Sequence, residues 1–278
     1  MTEQVLPASD LEHFNELGYL VVKDLYNSQE VEELIRQFDL HWVKLTSGGE
    51  IIQNGERPLE SLYPRLRDYH RKNEIIKGLS LKPALFAYLE QLIGEEVLII
   101  STSYYFKSPT TRGLPLHQDN YAFGVSPGTT YAAWISLDPS DEENGGMQFV
   151  PGTHSLDLQV PEGDKSNVQS YFSDEGQWLK EYESGEIREV ATEPGDVIFF
   201  NGNIVHGSSD NGSRHRFRRS LLIHFTGVSV EKLALNFNQL MDKTGTRVRR
   251  RLNTDTKIAE GQASVFSIQE ADYFAGWR

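Results

Sequence analysis

The chain reads as a mainly β protein with flanking helices, and three observations predict it. Helical periodicity is confined to about the first 95 residues. From Val97 onward, short runs of β-branched and aromatic residues alternate with Gly, Pro and Asn turn signals. No internal repeat, low-complexity tract or interdomain linker interrupts either half. Short strands spaced by turns are the pattern of a double-sheet jelly roll, which encloses a site between its two sheets. Helices from residues 1–95 are expected to buttress a core at about 96–228, with an extension at about 229–278, all within a single domain spanning 1–278.

Taken in order, Ser9 and Asp10 are N-cap candidates for a helix through Leu11, Phe14 and Leu17 that Gly18 ends. Tyr19 to Val22 reads as a strand. Asn27 or Ser28 opens a longer helix, because Val31, Leu34, Ile35 and Phe38 recur at helical spacing and Trp42 continues the stripe. Residues 48–64 are loop-like, with a turn at Asn54-Gly55. Leu85, Phe86, Leu89 and Leu92 mark a helix from Pro83 to Ile93 that stops at Gly94. The expected strands are Val97–Phe106, Thr129–Leu137, Met147–Val150, Glu186–Val190, Val197–Phe200 and Ser220–Phe225. Pro127-Gly128, Asn144-Gly145-Gly146, Pro151-Gly152, Pro194-Gly195 and Asn211-Gly212 supply turns between them.

Composition removes several classes of function. A net charge of −13 argues against nucleic acid as a general partner, since phosphate binding needs a broad basic surface. The chain has no cysteine, so thiolate metal sites and thiol catalysis are excluded and any metal has nitrogen and oxygen ligands. Neither a secretory signal nor an apolar run of membrane-spanning length is present, and the C-terminal Ala275-Gly276-Trp277-Arg278 is no peroxisomal address. A soluble cytoplasmic protein acting on a small molecule is the simplest expectation, with the oligomeric state left open.

The chemistry concentrates in His117-Gln118-Asp119 and in His206, which follows the apolar run Val197 to Phe200. On a strand, residues i and i+2 share a face, so His117 and Asp119 are expected to reach one metal while Gln118 points away. Two imidazoles and one carboxylate on one face of a metal leave positions open, the arrangement of non-haem Fe(II) oxygenases. The same ligands also suit zinc hydrolysis, and a jelly roll can bind a ligand without turning it over. Downstream, an inward arginine could hold a carboxylate through its planar fork, and strand parity lets only one of Arg218 and Arg219 point inward. Arg214 and Arg216 read as a solvated hairpin.

These residues occur together with Leu17-Gly18-Tyr19-Leu20-Val21-Val22, Asn144-Gly145-Gly146-Met147-Gln148-Phe149-Val150-Pro151-Gly152-Thr153-His154, Gly195-Asp196-Val197-Ile198-Phe199-Phe200 and His206-Gly207-Ser208. In that order they resemble the phytanoyl-CoA dioxygenase family, and the likeness covers nearly the whole chain. The resemblance implies a double-stranded β-helix (jelly-roll, cupin-like) core and an oxygenase that uses Fe(II), 2-oxoglutarate and O2 and releases succinate and CO2. It implies His117, Asp119 and His206 as iron ligands and Arg218 as the grip on the 5-carboxylate, with Ser208 as its hydroxyl partner. The step from His206 to Arg218 is one residue longer than the family's, which keeps Arg219 open. Trp134 and Tyr105 fall where the cosubstrate is contacted. Asp119 implies hydroxylation, since related halogenases lack a carboxylate at that position.

Gln118, Asn120, Tyr121 and Phe123 are expected to wall the substrate space, and residues 157–185 to form a lid or insertion. His154 is read as structural or second to the ligands, His215 and His224 as ordinary, and Arg247, Arg249, Arg250 and Arg251 as a solvated helix face. The expected product is a hydroxylated amino acid or natural-product intermediate.

Overall fold

Two antiparallel sheets face each other, and helices from the N-terminal part cover the outer face of the larger one. The computed structural model describes residues 6–156, Leu158, Tyr182, 186–233 and 239–248. In chain order these form α1 (Ala8–Leu17), β1 (Tyr19–Val22), α2 (Ser28–Ser47), α3 (Pro58–Leu62), β2 (Leu66–Arg67), α4 (Glu74–Ser80) and α5 (Pro83–Ile93). There follow β3 (Val97–Tyr105), β4 (Leu114–His117), α6 (Asp119–Phe123), β5 (Thr130–Ser136), β6 (Met147–Val150) and β7 (Arg188–Val190). The last strands are β8 (Val197–Asn201), β9 (Val205–Ser208), β10 (Ser220–Gly227), β11 (Leu240–Met241) and β12 (Arg247–Val248). The larger sheet runs β1-β8-β5-β10-β3-β11-β12 with β2 also on β3, and the smaller runs β4-β9-β6-β7. This is the jelly roll that the turn-spaced strands predict.

The central strands are apolar at consecutive positions because both of their faces are covered. Val197 and Phe199 of β8, Ala133 and Ile135 of β5, and Leu221 and Ile223 of β10 pack against Leu34 and Phe38 of α2 and Leu85, Phe86 and Leu89 of α5. The alternate residues Ile198, Phe200, Ala132, Trp134 and Leu222 turn the other way, onto Met147 and Phe149 of β6. A site between the sheets therefore lies behind a wall that excludes water.

The helix ends are chemically specified. Asn27 and Glu30 form a reciprocal capping box at the start of α2, an arrangement in which losing the Asn27 side chain costs about 1 kcal/mol. Gly18 and Gly94 close α1 and α5 in the left-handed region. Three expectations are corrected. α1 starts one residue before Ser9, after Pro7, which leaves Ser9 and Asp10 inside its first turn. The expected loop contains α3, which Pro58 opens at its first position, where a missing N–H costs nothing. Arg247 belongs to β12 and not to a helix, because it pairs with Met241. Arg249, Arg250, Arg251 and nearly all of the expected lid at 157–185 lie outside the described residues.

Candidate metal centre and anion pocket

β4 and β9 lie side by side in the smaller sheet, with His117 paired to His206 and their rings 4.3 Å apart. Asp119 does not extend β4, as the strand argument expects, but begins α6. The chain turns there because the Asn120 N–H donates to the Gly202 carbonyl (2.9 Å) and its side chain accepts from the Val125 N–H (3.0 Å). Gln118 keeps extended backbone angles of φ −115° and ψ 121°, so the alternation survives to Asp119 and its carboxylate still emerges beside His117. One oxygen lies 3.5 Å from His117 Nε2 and the other 3.7 Å from His206 Nε2. All three side chains are buried, and one ligand atom from each lies within 4.8 Å of the others.

The tautomers follow from the backbone. His117 Nδ1 lies 2.8 Å from the Pro115 carbonyl and His206 Nδ1 3.0 Å from the Ile204 carbonyl, so each Nδ1–H donates and each Nε2 presents a lone pair. Burial pulls His206 down to about 4, with the neighbouring His117 ring adding to it, which keeps the imidazole neutral. Burial alone raises the Asp119 carboxyl, but the histidines around it, with His224 donating to it, hold it well below the usual carboxylate range. A neutral pair of nitrogen lone pairs facing a carboxylate suits a divalent ion of the Fe(II) type.

His224 is not ordinary, which corrects the sequence reading. It lies on β10, and its Nε2 reaches the Asp119 carboxylate. The missed signal was parity: the spacing that turns Arg218 inward also turns Ser220, Leu222 and His224 inward.

Arg218 and Arg219 separate as parity demands. Arg219 pairs with Asp138 through two guanidinium nitrogens. Arg218 is buried, lies 5.4 Å from the Trp134 ring, and donates to the Gly145 carbonyl and Ser220 Oγ, both at 3.0 Å. Its described partners are all neutral, and burial pulls its guanidinium down to about 10. A second buried cation, Lys107, adjoins it. The Arg218 N–H donates to the Lys107 carbonyl (3.2 Å), and Lys107 Nζ donates to Ser208 Oγ (2.8 Å). Burial and the Arg218 charge push this ammonium well below its ordinary value. Two buried cations thus lie together without a carboxylate among their described contacts, an arrangement that an anion could satisfy. The sequence reading missed Lys107, whose only local signal is a lysine at the end of a buried strand.

Ser208 shares a face of β9 with His206, so the two cations adjoin the His-Asp-His group through one strand. Tyr105 faces the same interior, paired with Ser220, and its hydroxyl accepts from Arg65 (3.2 Å). Of the expected substrate wall, Gln118 donates to the Asn203 carbonyl (2.6 Å), Asn120 is engaged with Val125, and Phe123 packs on His224 with ring centroids 4.5 Å apart. Tyr121 is buried beside them. His154 lies against Gly18 and bonds the Asn15 carbonyl, which places it outside the His-Asp-His group.

Residues 14–220 match the family model described as phytanoyl-CoA dioxygenase (PhyH). The peroxisomal phytanoyl-CoA dioxygenase of Rattus norvegicus is 23% identical over 270 residues, covering 87% of this chain and 78% of that one. Among solved structures, the α-ketoglutarate-dependent carbocyclase SnoK from nogalamycin biosynthesis superposes with a TM-score of 0.66 at 22% identity, over 91% of this chain and 97% of that one. EctD from S. alaskensis, solved with 2-oxoglutarate and 5-hydroxyectoine, gives a TM-score of 0.65 at 21% identity, over 82% of this chain and 79% of that one. These two likenesses establish the fold.

Proposed function

The chain belongs to the phytanoyl-CoA dioxygenase family and is a dioxygenase of the Fe(II)- and 2-oxoglutarate-dependent class, and we propose that it hydroxylates an unactivated C–H bond of a small organic substrate. His117, Asp119 and His206 are the iron ligands in this reading, and Arg218 with Ser208 grips the distal carboxylate of the cosubstrate. The observation that carries it is the meeting of a buried His-Asp-His group with a buried arginine whose described partners are all neutral.

When bound, iron supplies the activation of dioxygen that no side chain provides. The chain does the rest. The Pro115 and Ile204 carbonyls fix both imidazoles with Nε2 lone pairs available. Asp119 stays ionised. Arg218 and Ser208 orient the oxoacid, Trp134 backs the guanidinium, and the apolar inner face excludes water. The reaction balances as substrate, O2 and 2-oxoglutarate giving alcohol, succinate and CO2, with one oxygen atom in each of the first two products. Among the described residues no helix is long and apolar enough to cross a membrane. The substrate in this reading is an amino acid or a natural-product intermediate.

The test is succinate formation from 2-oxoglutarate with Fe(II) in air, with Asp119→Ala as control. Wild-type turnover, coupled or uncoupled, that Asp119→Ala abolishes is the expected result. No turnover, together with no calorimetric binding of iron or 2-oxoglutarate, overturns the reading.

A further inference from the structure

Lys107 is the buried charge that the mechanism above leaves unused. Its backbone sits at φ 35°, a left-handed conformation that a lysine adopts at a cost. The strain is held from two sides, because the Lys107 carbonyl accepts from the Asn211 side chain (2.9 Å) and the Arg218 N–H (3.2 Å). Its stem passes over Gly145, whose φ of 89° and lack of a side chain leave the room it occupies. The protein thus accepts strain and a desolvated ammonium to bring Nζ to one place.

That place is Ser208 Oγ. The oxygen accepts from Lys107 Nζ at 2.8 Å and from the Leu114 backbone N–H at 3.1 Å. A serine hydroxyl has two lone pairs and one proton. With both lone pairs facing N–H donors, Ser208 can meet a ligand only through its O–H, which is the role an anion requires and a cation or carbonyl-seeking donor does not.

We propose that Lys107 is a positioning residue of the cosubstrate anchor: it locks the Ser208 hydroxyl as a donor to the distal carboxylate of 2-oxoglutarate. The assignment rests on the reading of Arg218 and Ser208 given above. It separates two cations that look alike. Arg218 touches the carboxylate, whereas Lys107 acts on it through Ser208.

The experiment is calorimetric titration of 2-oxoglutarate into Mn(II)-loaded protein for wild type, Lys107→Met, Ser208→Ala and the double variant. Lys107→Met is expected to weaken 2-oxoglutarate binding about tenfold, the size of a lost hydrogen bond to a charged group, with Mn(II) affinity within about twofold of wild type. Thermal stability should hold or rise, because an apolar side chain replaces a buried charge with no carboxylate among its described contacts. In the Ser208→Ala background the same substitution should change binding less than about threefold, since its route is gone. Multiplicative effects would show that Lys107 acts on the carboxylate directly, and unchanged binding in Lys107→Met would show no role; either overturns the proposal. If Lys107→Met does not fold, Lys107→Leu carries the same comparison. Wild-type protein that fails to bind 2-oxoglutarate removes the underlying reading, a result distinct from both.

Discussion

His224 Nε2 lies 3.1 Å from Asp119 Oδ2, so a histidine outside the His-Asp-His group holds the carboxylate within it. The other ring nitrogen, Nδ1, is buried without a partner among the described residues. A bare lone pair is cheaper to bury there than an orphaned N–H, which favours the tautomer with the proton on Nε2. His224 therefore donates, and the Asp119 carboxylate is held in one orientation.

His224→Leu is expected to weaken Mn(II) or Fe(II) affinity about 10- to 100-fold, the usual effect of losing a partner that orients a metal ligand. His224→Gln, which keeps an N–H donor, should recover part of that loss. Competition titration with a metal chelator measures both. Equal metal affinity in wild type and His224→Leu would mean that Asp119 is held without it.

Arg218→Ala should raise the dissociation constant for 2-oxoglutarate by about 30-fold or more, since it removes a desolvated charge from an anion site. Arg218→Lys should not restore binding, because an ammonium lacks the planar fork and its stacking on Trp134. Arg219→Ala breaks only the pair with Asp138 and should leave 2-oxoglutarate affinity within about threefold. The reverse ranking would exchange the two assignments.

The pH dependence of stability should carry the mark of His70. This ring is buried, accepts from Arg71 Nε (3.2 Å) and bonds Thr102 Oγ1 (2.8 Å). Burial, reinforced by the Arg71 charge, pulls it down from 6.5 to about 4. As pH falls below about 6.5, the unfolded chain takes up this proton before the folded one, so stability is full above that value and is lost towards about pH 4. The slope reaches about 1.4 kcal/mol per pH unit for one such group. Chemical unfolding between pH 4.5 and 6.5 should show a shallower dependence in His70→Phe; an unchanged slope would assign it elsewhere.

Gly145→Ala should destabilise the fold by about 1–3 kcal/mol, because a left-handed backbone and the Lys107 stem both reject the added methyl. It should also weaken 2-oxoglutarate binding, as Lys107 must move and the Gly145 carbonyl holds Arg218. Unfolding and calorimetry together check this. A variant as stable and as tight-binding as wild type would contradict the packing described.

The core strands were readable because both covered faces leave a continuous apolar signature, as in Val197 to Phe200. A cap at Asn27 or Ser28 and the glycine stop at Gly94 were readable because their chemistry is local, whereas the return bond from Glu30 that makes a capping box is seen in the structure. α3 was not, since five residues hold too little periodicity to stand out from a loop. β11 and β12 were not, since two-residue strands exist only through pairing with β3 and with each other. At the site, parity lets only one of Arg218 and Arg219 face inward, and with Arg218 as that one it turns His224 inward as well.

The sequence by itself determined the jelly-roll class, the spacing of His117, Asp119 and His206, and the alternation that lets one arginine face inward. These depend on local periodicity and turn chemistry, which the chain carries residue by residue. Only the tertiary structure decided that Asp119 opens a helix, that His224 braces it, and that Lys107 meets Ser208. Those contacts join segments far apart in the chain, and their strength comes from burial, which exists only once the sheets have closed.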